Sequence, residues 1–232
     1  MKKLNIIPTI KDGIALAFVN YLSLIAVVVL YVLTIWIPYL NVGTTIAIAS
    51  LPAEMAKGAV INPLFIFNGK YRKNMGEFFI LIALEVGAIL LGLIFGIIPG
   101  LVLSVAWMFA EVLFVDKDMN ALDAIRESNR ITYGNKWRIV GALCLVGVCV
   151  GVICGIIKAL FGIGDVSWLI TLGAVVTLII ELCVEPIILG IQASIYKQLT
   201  TGELVGEVEA QAAPAAQAPA ARKDEAPAAK AE

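Results

Sequence analysis

What most constrains this chain is a set of apolar segments, each about as long as a lipid bilayer is thick. Crossing ~30 Å of hydrocarbon takes about 20 helical residues. Six stretches reach or approach that length, at about 14–37, 44–67, 77–98, 100–115, 138–161 and 167–196. Hydrocarbon offers no hydrogen-bond partners, so a segment that crosses it singly must satisfy its own backbone, and the α-helix is the structure that does so. Composition agrees: 60% of the 232 residues are hydrophobic and 15% are charged, against about 45–50% and about 25% in soluble domains. The expected fold is all-α, a polytopic bundle of six transmembrane helices over residues 1–204. A cytoplasmic interfacial helix and a disordered tail at 205–232 complete it.

Charge in the connections orients these spans. Lys2, Lys3 and Lys11 precede the first; Lys70, Arg72 and Lys73 join the second to the third. Lys117, Arg126, Arg130, Lys136 and Arg138 lie between the fourth and fifth. The remaining connections, Pro38 to Gly43, Pro99-Gly100 and Gly162 to Val166, carry no Lys or Arg. Such alternation places both termini in the cytoplasm by the positive-inside rule. The first apolar run exceeds the 7–15-residue core of a signal peptide, so it reads as a retained span. Trp36 and Tyr39 would mark the outer end of span one, Trp137 the inner start of span five, and Trp168 and Tyr196 the two ends of span six.

Between spans four and five, Asn120 can cap a short helix with Asp123 in its first turn, and Gly134 can terminate it. Leu122 and Ile125 are expected on one side; Asp123, Arg126, Glu127 and Arg130 are expected toward water. This helix reads either as a segment resting on an anionic leaflet or as a solvated connector. The tail, rich in Ala, Pro, Glu, Lys and Gln, has too few large apolar side chains to fold, and its acidic balance argues against nucleic acid as a partner.

Small residues recur at i, i+4: Gly92, Gly96 and Gly100 in span three and the turn after it, and Gly147, Gly151 and Gly155 in span five. Such ridges let helices approach closely, either within the bundle or across a homodimer. Cys144, Cys149, Cys154 and Cys183 lack the CxxC spacing of metal and redox sites and read as small packing residues.

Five carboxylates fall inside apolar segments: Glu54, Glu85, Glu111, Glu181 and Glu185, with Lys57 the one lysine at comparable depth. A charge at the bilayer centre costs at least ~2.5–3.5 kcal/mol, so these groups need a reason. Glu181 and Glu185 are one turn apart, directly before Pro186, which frees the carbonyl of Leu182 and should kink the helix. Glu54 and Lys57 sit at i, i+3, ahead of Asn62-Pro63. Polar groups beside proline breaks can build a midplane ion site, with Glu181 and Glu185 as its centre and Glu54, Lys57 and Glu85 as partners. Interhelical hydrogen bonding and a site for a lipid headgroup or partner protein are the alternatives. Glu111, near the end of span four, reads as snorkelling.

No histidine, nucleophile elbow, phosphate-binding glycine loop or metal motif is present, so neither an enzyme nor a cofactor is expected. The lipid bilayer is the expected partner, together with a membrane protein or a second copy. The stretch Ile97–Arg138, IIPGLVLSVAWMFAEVLFVDKDMNALDAIRESNRITYGNKWR, resembles uncharacterised bacterial inner-membrane proteins of the YciC-like type. It is also similar to the membrane region fused to some glycerophosphodiester phosphodiesterases. The shared pattern is I-P-G (Pro99-Gly100), an acid-containing helix end (Glu111), a short A-x-x-x-S helix (Ala124 to Ser128), then G-x-x-W-R (Gly134, Trp137, Arg138). The resemblance implies a six-helix plasma-membrane protein with cytoplasmic termini and no assigned activity. The leading expectation is a non-enzymatic organising or accessory protein; the rival is a small secondary transporter or proton-coupled permease.

Overall fold

A computed structural model describes residues 4–162 and 167–212, with side chains described as far as Thr201. The chain divides into two compact units, Met1–Leu199 and Thr200–Glu232. Among the described residues the secondary structure is helical throughout. The elements are α1 (Ile6–Val19), α2 (Tyr21–Thr34), α3 (Pro38–Ala49), α4 (Leu51–Ala56), two 3-10 turns (Pro63–Phe67 and Gly69–Arg72), α5 (Met75–Phe95), α6 (Ile97–Trp107), α7 (Ala110–Asp116), α8 (Ala121–Thr132), α9 (Lys136–Phe161) and α10 (Ser167–Ala212). The α10 backbone continues to Ala212, into the stretch expected to be disordered; residues 213–232 of that tail lie outside the described residues.

Among the described residues, four helical stretches are long and apolar enough to cross a membrane: α5, α6 with α7 (Ile97–Asp116), α9, and the Ser167–Thr201 part of α10. A fifth would require α1 and α2 to act as one span, although they meet at 78°. The segment 44–67, expected to be the second span, is not a continuous helix. Pro52 has no N–H to donate to the Ile48 carbonyl, so α3 stops at Ala49 and a separate six-residue α4 begins. Gly58 then turns the chain at φ 77°. Asn62 caps the first 3-10 turn, its Oδ1 accepting from Leu64 N–H at 3.1 Å.

The two ends of that segment meet. The Arg72 guanidinium carbon is 5.9 Å from the centre of the Tyr39 ring, and its Cγ stands 2.8 Å from where a Cβ on Gly43 would be. The uncharged Pro38–Gly43 stretch and the basic Lys70–Lys73 stretch therefore lie at the same end of the molecule, not on opposite sides of a span.

The core is concentrated toward one end of the bundle. Phe78 and Leu81 of α5, Leu113 and Phe114 of α7, Ile139 and Ala142 of α9, and Ile191, Ala193 and Ile195 of α10 are buried there. Phe78, Leu81, Phe114 and Ala193 pack with Leu24, Ile46, Leu51, Met55 and Ile66 from the N-terminal elements, while Leu113, Ile139, Ile191 and Ile195 form a second cluster with Leu4, Ala53 and Ala56. Beyond that end, α5, α9 and α10 expose Leu90, Ile94, Phe95, Val148, Val152, Ile156, Trp168 and Leu178. In lipid such exposure carries no hydrophobic penalty, and close backbone approach supplies the packing energy. A Cβ on Gly92 would lie 3.0 Å from Gly100 Cα, and one on Gly13 would lie 2.5 Å from Ile191 Cα. Gly96, at φ 150° and ψ 158°, makes the α5–α6 turn. Among the described residues, Gly147, Gly151 and Gly155 have nothing within 4 Å of an added Cβ, so that ridge packs against no described helix.

Helix α8 forms as its caps dictate. Asn120 Oδ1 accepts from Asp123 N–H at 2.9 Å, and Gly134, at φ 77°, terminates it. Its buried face consists of Ala121, Ala124, Ser128, Ile131 and Thr132. Leu122 is exposed, and Glu127, expected toward water, is largely covered: its side chain is 16% exposed.

Candidate functional site

Irregular backbone inside an apolar region needs side-chain partners, and two polar residues supply them. Asn20 sits buried at the 78° bend between α1 and α2. Its Nδ2 donates to the Ala59 carbonyl at 3.1 Å, and its Oδ1 accepts from Ile61 N–H at 3.0 Å. One amide thus holds both the bend and the non-helical return after α4. Ser128 performs a similar task for the break between α6 and α7. Its hydroxyl donates to the Ala106 carbonyl at 2.8 Å and accepts from Phe109 N–H at 3.2 Å. Thr132 adds a second donor to Ala106, at 3.3 Å. The A-x-x-x-S helix has a physical reason here: Ala124 is small and wholly buried, and Ser128 bridges the broken span.

That bridge sets the position of α7, whose last residue, Asp116, organises the main polar seam. Lys57, at the end of α4, pairs with Asp116 Oδ1. Tyr196 on α10 donates its hydroxyl to Asp116 Oδ2 at 2.8 Å. Glu54 adds a looser contact to Lys57, at 3.9 Å. Asp116 is 9% exposed and Lys57 44%, so the seam is an ion pair with one solvated partner. The i, i+3 spacing points to the Glu54–Lys57 pair, and Tyr196 is expected to mark the end of span six; Asp116 carries no sequence signal of its own. Tyr196 is buried and structural.

The other acids do not join this seam. Glu85 on α5 lies near enough to Glu111 on α7 for the two carboxyls to interact electrostatically. Among the described residues, Glu85 Oε2 is buried with no hydrogen-bond partner. Glu181 and Glu185 sit close together on α10, and both are exposed. Behind them, Tyr21 donates to the Cys183 carbonyl at 2.9 Å, and α10 runs through Pro186 as one helix. The expected five-residue ion site is thus divided among three places: Glu54 with Lys57, Glu85 with Glu111, and Glu181 with Glu185. A groove of about 380 Å³ lies elsewhere, lined by Leu4, Asn5, Ile6, Ile7, Pro8 and Arg138. Arg138 there donates to the Leu4 carbonyl at 3.2 Å. Among the described residues no three His, Cys, Asp or Glu side chains converge as metal ligands would.

On α8 the charges are mutually paired. Arg130 holds Glu127 through two bonds of 2.7 Å, Lys117 approaches Glu127 at 3.6 Å and Arg126 approaches Asp123 at 3.5 Å. The hydrogen bond from Arg130 lowers the Glu127 pKa below the usual carboxylate value, against some desolvation, with the charges of Arg130 and Lys117 assisting.

Compared with family models, curated proteins and solved structures, the chain has no match in any of the three.

Proposed function

We propose that this is a non-enzymatic accessory protein of a bacterial inner membrane that docks a second membrane protein along α10. The observation that carries this reading is the position of Glu181 and Glu185. Both project from the exposed surface of the apolar first half of α10, where contact with lipid would cost at least ~2.5–3.5 kcal/mol per charge. A partner that supplies donors or a cation removes that penalty. The separation of the acids of the apolar segments into three groups favours this reading over a transport site.

In the topology that fits, α5, α6–α7, α9 and α10 cross the membrane. The basic segments at Lys70–Lys73 and Lys117–Arg138 then share the cytoplasmic side. The bent pair α1–α2 stays with that half, and membership in the YciC-like type belongs to the same proposal.

The test is site-specific photo-crosslinking from Leu178 and Leu182 in native membranes. One discrete adduct, identified by mass spectrometry and lost in Glu181→Gln/Glu185→Gln, would support docking. In detergent that variant should melt no lower than wild type, because the carboxylates are exposed in the single chain. Substrate-dependent flux in proteoliposomes that disappears in Glu185→Gln would overturn docking and establish the transporter.

A further inference from the structure

We infer that the corner between α2 and α3, together with the Lys70–Lys73 loop, is an anchor for anionic phospholipid headgroups. The inference rests on membrane embedding but not on partner docking. The contact between Arg72 and Tyr39 brings together two features that lie far apart in sequence. One is an apolar and aromatic edge, Ile35, Trp36, Ile37 and Tyr39, with Trp36 86% and Tyr39 65% exposed. The other is a basic cluster, in which Lys70 and Lys73 are exposed and Arg72 is half-buried.

Among the described residues, Lys70, Arg72 and Lys73 have no carboxylate in ion-pair range. Lys57, Lys117, Arg126 and Arg130 do have such partners. The cluster's own contacts are aromatic: Lys70 Nζ stands 4.6 Å from the centre of the Tyr71 ring, and Arg72 stacks over Tyr39. Three unneutralised cations beside an exposed tryptophan and tyrosine match the chemistry of an interface, with phosphate oxygens outside and acyl chains within. By contrast, α8, the segment that sequence reasoning offered to an anionic leaflet, has its charges committed to one another.

The test is native mass spectrometry of the detergent-solubilised full chain, titrated with phosphatidylglycerol or with phosphatidylcholine of the same acyl chains. Wild type should bind phosphatidylglycerol more tightly. In Lys70→Gln/Lys73→Gln that preference should fall by about fivefold per cation removed. Arg72, whose stem packs on Gly43, is left in place so that the fold is preserved, and an unchanged melting temperature checks this. Trp36→Ser should weaken both lipids alike. Equal phosphatidylglycerol binding by wild type and the double variant would overturn the anchor. Competition by inorganic phosphate at matched ionic strength would overturn the assignment to lipid. Failure of either lipid to bind wild type would overturn the anchor.

Discussion

Arg72 and Tyr39 are in contact: the guanidinium carbon stands 5.9 Å from the ring centre, within the range of a cation–π pair. The two residues lie on opposite flanks of an apolar stretch long enough to cross a membrane, so their contact means that the stretch returns to the end from which it started. In a background lacking the four cysteines, Tyr39→Cys and Lys73→Cys should both react with an impermeant maleimide added to the same side of sealed vesicles. Labelling from opposite sides would restore a crossing between them.

Asn20 is the second determinant of that return. Asn20→Ala leaves the Ala59 carbonyl and Ile61 N–H without their side-chain partner and should cost about 2–6 kcal/mol, at ~1–3 kcal/mol for each unmet group. Asn20→Asp keeps the acceptor for Ile61 but loses the donor to Ala59, so it should recover only part of the loss. Thermal unfolding of the three chains in one detergent gives the order; equal melting of wild type and Asn20→Ala would refute the role.

Ser128→Ala should destabilise by about 1–3 kcal/mol, because the wholly buried hydroxyl both donates to Ala106 and accepts from Phe109. Exchange of the Phe109 amide, followed by NMR, should speed up in the variant beyond what its loss of global stability explains. Unaltered exchange would mean that the broken span is held by other contacts.

The glycines separate into two classes. Gly13→Ala places a Cβ 2.5 Å from Ile191 Cα and should cost about 1–3 kcal/mol, since backbone must move to admit it. Gly151→Ala meets open space and should be neutral or stabilising by up to about 1 kcal/mol, the ordinary helix preference for alanine. Melting temperatures of the two variants decide the matter; a large loss in Gly151→Ala would show that this ridge is covered in the solubilised protein.

Acid stability should depend on Glu127. Its folded pKa lies below the unfolded value, so its contribution is fully present above the unfolded carboxylate pKa and is lost as pH falls through the folded one. Glu127→Gln should therefore lower stability at neutral pH and flatten the acid limb below about pH 4.5. Parallel acid limbs in the two chains would count against the pairing with Arg130.

Hydropathy and local chemistry were legible from the residues alone. Long apolar runs at α5, α9 and α10, the cap at Asn120 and the stop at Gly134 each depend on a few neighbouring positions, and all appear where they were read. The crossing at 44–67 was misread because a hydropathy window averages over Pro52, Gly58 and Pro63 without asking where the interrupted backbone finds its partners. That answer, Asn20, is remote in sequence. The roles of Asp116 and Tyr196 were illegible for the same reason: a carboxylate at a helix end and an aromatic read as the end of span six look ordinary until α7 and α10 are brought together. Composition and short-range pattern decide which segments are helical and apolar. Which of them turn back, and which acids meet a cation, depends on contacts between distant segments, and no local pattern encodes these.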